Sequence, residues 1–416
     1  RYHKENPWEL IRAASGKIRR TPLSFGTTGR RFIGFKRMPQ SITALVFERM
    51  VANGIRRVWI IDAAHEVDFM LRVARLAKEK GFEEVVVALC FSISPVHTDQ
   101  FYKEKAKALS ASPYVDTLYV KDQGGLLTPE RVRSLIPAVK EAIGSKGLEF
   151  HSHCNTGLAP ICYLEAVRLG VDVLHTAIPP LANGTSQPSI FNILRNLPYM
   201  GPRRAMEDIL PSWLDGEETY KGNVDYEALK RISEHFFNVA ARERLPEGKP
   251  EEHDASYYIH QLPGGMVTTL KRQLQEMRME ERLEEVIEEV VRVRQDLGYP
   301  IMVTPFSQFV GTQATLNVVH KERYKMVPDG IIQYAAGWFG PPPSPIDPDV
   351  LDRISSQPKT KAYFASEVPE LSIEEIRRQM GIGGNVSDEE FLLRYTMTEK
   401  EVDEMLKSQP LKATYP

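Results

Sequence analysis

Two histidines separated by one residue, His151-Ser152-His153, stand at the end of a short apolar run over residues 148–153. In an extended strand, residues i and i+2 project to the same face, so both imidazoles can reach one ion. Upstream, another such run closes on Lys121-Asp122, followed directly by Gln123-Gly124-Gly125. A lysine at the inner end of a buried strand costs several kcal/mol unless it is paired or chemically changed. Reaction with carbon dioxide would turn the cation into a carbamate, an anionic oxygen ligand. Two imidazoles and one carbamate suit Zn, Co or Mn and leave room for a substrate oxygen. The plainer alternative is a lysine that reaches solvent and pairs with Asp122.

The elements that must position these groups repeat one pattern over the first 180 residues. Short, nearly continuous apolar runs predict strands over 21–25, 57–61, 84–90, 115–121, 148–153 and 171–175, as expected of strands covered on both faces. Amphipathic stretches predict helices over 41–53, 67–80, 99–109, 129–143 and 159–169. Gly54, Gly81 and Gly170 fall where helices should stop, and Thr128-Pro129-Glu130 is a helix start. The fold class is α/β. Residues with chemical potential end several successive strands, which favours a (β/α)8 barrel over a doubly wound sheet. Only six strands are present, so either the sheet is open or the first two strands of the barrel lie outside this chain.

The chain has 416 residues, 53 Lys plus Arg against 55 Asp plus Glu, and a formal net charge of -2. That balance excludes a general nucleic-acid surface. No run is long and apolar enough for a membrane span, and no export signal is visible, so a cytoplasmic enzyme is expected. Cys90, Cys154 and Cys162 are too few and too irregular for a disulfide scaffold or thiolate zinc site. Cys90 and Cys162 read as core residues, while Cys154 sits beside the two histidines as a small core residue or an extra soft ligand. The chain opens Arg1-Tyr2-His3 without Met and reads as processed, truncated or partial.

After Gln187-Pro188-Ser189 the rhythm changes, and three parts are expected: a barrel over 1–194, a helical extension completing the site over 195–340, and a linker with a helical tail over 341–416. Residues 269–297 read as one long charged helical region, 340–349 (GPPPSPIDPD) as a stiff linker or surface strap, and 372–380 and 387–394 as helices of the tail. The end of the tail is expected to fray.

Seven strings carry a resemblance: ENPWELIR from residue 5, ISPVHTDQFY from 93, YVKDQGGLLTP from 119, HSHCNTGLA from 151, GTSQPS from 184, QLPGGM from 261 and VTPFSQFVGTQATLNV from 303. Together and in this order they resemble the carboxyltransferase components of biotin-dependent carboxylases and decarboxylases. The family includes the pyruvate carboxylase central domain, the oxaloacetate decarboxylase alpha subunit and the transcarboxylase carboxyltransferase subunit. The resemblance implies that Lys121 is a carbamylated metal ligand, that His151 and His153 are its partner ligands, and that Thr304 shuttles a proton between biotin and the substrate. From the residues alone, Thr304-Pro305 after the apolar IMV could equally be a strand end with a turn. The implied reaction moves a carboxyl group between carboxybiotin and a 2-oxo acid through a metal-stabilised enolate, with biotin doing the carrying. No Met-Lys-Met carrier string occurs in the chain. A biotinyl carrier protein and a biotin carboxylase subunit are therefore expected as partners or as parts beyond residue 416, in an oligomeric complex.

The sequence departs from the family pattern at several positions. The family's fourth metal ligand, an Asp, lies on a first strand upstream of the ENPWELIR-like string, so the missing strands and the missing ligand are one observation. A partner or an N-terminal segment is expected to supply them. Thr28 stands where a substrate-carboxylate Arg is expected and Phe35 where a Tyr is expected. A Thr cannot replace a bidentate clamp; Arg30 or Arg31 would have to reach in, and surface arginines are the ordinary reading. Cys154 and His175 replace two acids, which should weaken support for the ligands from behind. His65, His97 and His260 are further candidates with structural roles as the ordinary reading. The alternatives are a scaffold subunit whose site has drifted, or a carboxyltransferase with a different acceptor.

Overall fold

The computed structural model describes residues 5–31, 37–197, 224–365 and 370–408. Phe35 lies outside them.

Six strands form one parallel sheet in sequential order: β1 (Ser24–Thr27), β2 (Arg57–Ile60), β3 (Glu84–Cys90), β4 (Thr117–Asp122), β5 (Gly147–Ser152) and β6 (Val173–Leu174). Helix α1 (Pro7–Lys17) precedes the sheet, and α2 (Gln40–Ala52), α3 (Val67–Glu79), α4 (Asp99–Ser110), α5 (Pro129–Ile143) and α6 (Ala159–Arg168) connect its strands. Among the described residues β1 pairs only with β2 and β6 only with β5, so these six strands form a barrel wall left open between its edges.

Strand alternation divides the apolar residues into two cores. Val58, Ile60, Val85, Val87, Leu89, Leu118, Val120, Leu148 and Phe150 turn outward onto the helices. Val86, Ala88, Cys90 and Tyr119 turn inward and pack beneath residues of the C-terminal half, among them Leu262, Leu270, Val290, Met302 and Phe306. Each fully buried side chain of this size contributes about 1.5–3 kcal/mol, so the helical region is fixed to the barrel interior by a continuous apolar contact.

The helices after the sheet are α7 (Ile190–Asn196), α8 (Tyr226–Glu243), α9 (Ser256–His260), α10 (Gly264–Glu276), α11 (Leu283–Asp296), α12 (Phe306–His320), α13 (Asp329–Ala335), α14 (Pro348–Ser355), α15 (Thr360–Ala365), α16 (Ile373–Gln379), α17 (Asp388–Thr396) and α18 (Glu399–Lys407). The single helical region expected over 269–297 is divided. α10 ends at Glu276, Arg278 adopts a positive φ of 57°, and a 3-10 turn (Glu280–Arg282) restarts the chain into α11. The apolar IMV before Thr304 is a bend leading into α12, not a strand end. The proline-rich stretch meets the C-terminal end of α11, where the Ser344 amide donates to Gly298 O and the Asp347 amide to Asp296 O. The tail returns to the start of the chain: Ile376, Phe391, Leu392 and Val402 share a core with Trp8, Ile42 and Phe47. Among the described residues no helix is long and apolar enough to cross a membrane.

Candidate functional site

Parallel pairing sets β4 against β5 so that Lys121 is opposite His151 and Asp122 opposite Ser152. Alternation then separates the first pair of neighbours. Lys121 turns inward, whereas the fully buried Asp122 turns outward and accepts from the amides of Leu126 and Leu127 and from Ser152 Oγ, each at 2.8 Å. The Lys121–Asp122 pairing that the sequence left open does not form, because Asp122 is committed to folding the Gly124-Gly125 loop. That loop backs the second histidine: Gly125 has φ +66°, and a Cβ there would lie 2.5 Å from His153 O. Among the described residues no carboxylate lies within ion-pair distance of Lys121. Burial lowers its pKa, with Cys90 and Asp122 acting in the opposite sense.

Both imidazoles present their Nε2 atoms to one place. His153 Nδ1 is 2.6 Å from Thr185 O, which fixes the proton on Nδ1 and leaves a lone pair on Nε2. His151 Nε2 lies 3.4 Å from Lys121 Nζ. Gln187 Nε2 sits between the rings, 3.3 Å from His151 Nε2 and 3.1 Å from His153 Nε2. Burial, followed by the nearby Lys121 charge, holds the His151 pKa well below the ordinary value and lowers that of His153 to about 4. The rings are therefore neutral, as metal ligation requires.

Behind His151 the interior continues as a polar column. His151 Nδ1 is 3.1 Å from His175 Nδ1, and His175 Nε2 is 2.7 Å from Glu149 Oε2. Glu149 pairs in turn with Arg57, which also holds Glu84. Trp59 stacks on His175 at 4.8 Å between centroids, and Tyr119 lies against the same ring at 5.3 Å.

The donor set fits a borderline divalent ion: two neutral imidazole nitrogens and an amine that can become an oxygen ligand converge from adjacent strands. Among the described residues no group of three or more His, Cys, Asp and Glu is placed to hold a metal, and the described side chain beside the two imidazoles that could add a third ligand is Lys121. Thr304 sits elsewhere, solvent-exposed on the loop before α12, and makes no hydrogen bond to Lys121, His151 or His153. Its neighbours Met302, Val303 and Phe306 nevertheless pack in the core that contains Cys90 and Tyr119.

This chain is 35% identical over 399 residues to a pyruvate carboxylase subunit from Methanocaldococcus jannaschii, covering 95% of this chain and 67% of that protein. The chain belongs to the carboxyltransferase family of biotin-dependent carboxylases. A second relative, the corresponding pyruvate carboxylase subunit from Methanothermobacter thermautotrophicus, is 32% identical over 397 residues, covering 94% of this chain and 66% of that protein. The chain thus spans about two thirds of the length of these carboxyltransferase-family relatives. The family model described as the conserved carboxylase domain matches residues 257–414. In fold, the chain matches the carboxyl transferase domain of Rhizobium etli pyruvate carboxylase with a TM-score of 0.82 at 23% identity, over 98% of this chain and 68% of that one. The family fold, a (β/α) barrel with a helical C-terminal region, is therefore established for this carboxyltransferase.

Several sequence expectations change. Neither Arg30 nor Arg31 is a surface residue. Arg30 is locked between Asp62 at 3.1 Å and Glu66 at 2.7 Å and lies over the Phe69 ring, so it is not free to clamp a substrate. Arg31 is buried, and burial lowers its pKa to about 10. Cys154 packs in the outer core, and burial pushes its thiol up to about 12, so it faces away from the histidines as a core residue. His65 accepts from the Cys90 amide, His97 meets Ser94 Oγ, and His260 accepts from the Leu262 amide, all three in buried structural roles.

His175, which stands in place of an acid, contacts His151 directly, and Glu149 places an acid one step further back. Glu149, Thr185 and Gln187, which contact these histidines, were not among the candidates the sequence offered. The signal for Glu149 was a charged residue inside an apolar strand, two positions before His151 and so on its face.

Proposed function

We propose that this chain is the carboxyltransferase component of a biotin-dependent carboxylase, moving a carboxyl group between carboxybiotin on a separate carrier protein and a small 2-oxo acid. The observation that carries this reading is the convergence of His151 Nε2, His153 Nε2 and Lys121 Nζ on one place. His151, His153 and a carbamylated Lys121 would hold a divalent ion, Zn, Co or Mn, with a further ligand from a barrel strand on another segment. When bound, the ion would polarise the oxygens of the acceptor.

The remaining work falls to side chains. The lowered pKa of Lys121 favours the neutral amine, whose Nζ lone pair forms a C–N bond to carbon dioxide with loss of one proton to solvent. Carboxybiotin, when bound, would supply the carbon dioxide that forms a new C–C bond at the acceptor carbon, and would leave a ring nitrogen that needs a proton. The acceptor must lose one from the carbon next to its carbonyl. Thr304 Oγ1, exposed on a loop fixed to the barrel interior, is suited to take the second proton and supply the first. The carrier and a biotin carboxylase subunit are the expected partners, within an oligomeric complex in the cytoplasm.

One observation favours an altered acceptor: Thr28 replaces the expected clamp and Arg30 is committed to Asp62 and Glu66. Loss of that clamp suits an acceptor without a carboxylate next to its carbonyl, while the 31% identity over 355 residues to the 2-oxoglutarate carboxylase large subunit of Hydrogenobacter thermophilus makes 2-oxoglutarate the acceptor to compare with pyruvate. The test is metal analysis and carboxyl transfer by the wild-type complex, with pyruvate and 2-oxoglutarate as acceptors. Stoichiometric metal with transfer to either supports the proposal. A metal-free complex that transfers nothing in the presence of bicarbonate points instead to a drifted scaffold subunit.

A further inference from the structure

The polar column behind His151 has a direction. At its lower end Glu149, paired with Arg57, can only accept a hydrogen bond from His175 Nε2, 2.7 Å from its Oε2. That places the His175 proton on Nε2 and leaves Nδ1 as an acceptor. His151 Nδ1, 3.1 Å away, must then be the donor. The upper end agrees, since Gln187 Nε2, 3.3 Å from His151 Nε2, is an amide donor, while Lys121 Nζ at 3.4 Å can donate or, as a neutral amine, accept. Trp59 and Tyr119 pack the His175 ring and restrict its rotation.

We infer that Glu149 and His175 are positioning residues, a carboxylate–histidine relay that holds His151 in the tautomer with its proton on Nδ1, so that the Nε2 lone pair faces the barrel mouth. The relay deepens the metal-site reading and rests on it for its purpose, but the tautomer itself exists without metal. Ligand imidazoles gain basicity and orientation from such partners, and loss of one typically weakens metal binding 10–100-fold. Here the partner is a second imidazole, with the carboxylate behind it.

Arg57 makes the relay testable by an isosteric change. In Glu149→Gln the guanidinium, which can only donate, claims the amide oxygen and turns the amide NH2 toward His175 Nε2. The column then reverses: His175 carries its proton on Nδ1, His151 accepts it there, and the His151 proton moves to Nε2, where it blocks a ligand. The experiment is long-range 1H–15N correlation of 15N-histidine-labelled, metal-free full-length protein, paired with titration of cobalt into wild type and E149Q. Expected are an Nδ1–H His151 in wild type, an Nε2–H His151 in E149Q, and a 10–100-fold weaker cobalt affinity in the variant. An Nε2–H tautomer in wild type, or an E149Q spectrum unchanged at His151, overturns the relay. The wild-type spectrum decides alone should E149Q not fold. Wild type that binds no cobalt yet shows the Nδ1–H tautomer rejects the metal reading and retains the relay.

Discussion

Lys121 Nζ lies 3.4 Å from His151 Nε2, across the register that sets β4 against β5. The amine has no carboxylate partner among the described residues and sits where burial disfavours its charge. Removing it should therefore leave the fold intact and remove the proposed third metal ligand. Lys121→Ala is expected to lose bound metal and to lower carboxyl transfer by about 10²–10³-fold, the scale of losing one preorganised electrostatic group. Wild type incubated with 13C-bicarbonate should show a carbamate carbon resonance that Lys121→Ala lacks. Equal metal content in the two proteins would remove Lys121 from the ligand set.

Gly125 supports the site through its backbone. With φ +66° and a Cβ position 2.5 Å from His153 O, any side chain must strain the loop and displace the histidine it backs. The conformational term alone is about 1–2 kcal/mol for a non-glycine residue. Gly125→Ala should lower the urea midpoint modestly and weaken cobalt binding more than tenfold. Unchanged cobalt affinity would show that the loop does not hold His153 in place.

Much of this arrangement was legible because strand periodicity carries direction. Residues 84–90 and 129–143 were read with the bounds that β3 and α5 have, and the HxH spacing correctly placed both imidazoles inward. What sequence could not supply was the partner of each polar group. Asp122 follows Lys121 in the chain but points to the opposite face, so adjacency suggested a pair that alternation forbids. His175 looked like a lost acid because Glu149 lies on another strand, and only the parallel register brings them together. The break in 269–297 depends on a left-handed Arg278, which no local rule about charge or helix propensity requires. β6 is shorter than the five residues expected, since it is an edge strand with Val173 exposed.

His65 should give the protein a measurable loss of stability with acid. Its ring is fully buried against Phe101 and Tyr102, accepts from the Cys90 amide, and lies near His97 and the Lys105 charge. Burial is the main cause of a pKa lowered to about 3, against 6.5 for the unfolded chain. Between these values the unfolded state binds the extra proton, so stability is fully present above pH 6.5 and falls as pH drops toward 3. The slope is about 1.4 kcal/mol per pH unit for one such group. Urea unfolding at pH 7, 6 and 5 should show this dependence reduced by about that amount in His65→Gln. A slope unaltered by the substitution would mean that His65 is protonated in the native protein.

Besides the apolar core they share, the tail and the start of the chain are joined through one acidic residue, Glu389. Trp8, 1% exposed, donates from Nε1 to Glu389 O, while Arg12 and Asn53 bond the Glu389 carboxylate at 2.7 Å each. Trp8→Ala should cost about 3–5 kcal/mol, the range for deleting a buried aromatic side chain. It should also increase hydrogen exchange in α17 together with α1, which a merely local cavity would not do. Protection lost in α1 alone would mean that the tail is held by its other contacts.

Thr304 separates chemistry from packing more cleanly than any other position. Its side chain is exposed and bonded to none of the proposed ligands, so Thr304→Ala should change stability by no more than about 0.5 kcal/mol. If Oγ1 carries the proton between acceptor and biotin, the same change should lower the rate of carboxyl transfer by about 10²–10⁴-fold, the usual contribution of a positioned acid–base group. Thr304→Ser, which keeps the hydroxyl and loses only a methyl group, should retain most of the rate. The KM for the acceptor should move little in either variant, since a proton carrier acts in the transition state rather than in binding. A Thr304→Ser variant as slow as Thr304→Ala would assign the loss to the methyl contact, and a fully active Thr304→Ala would give the proton to another group.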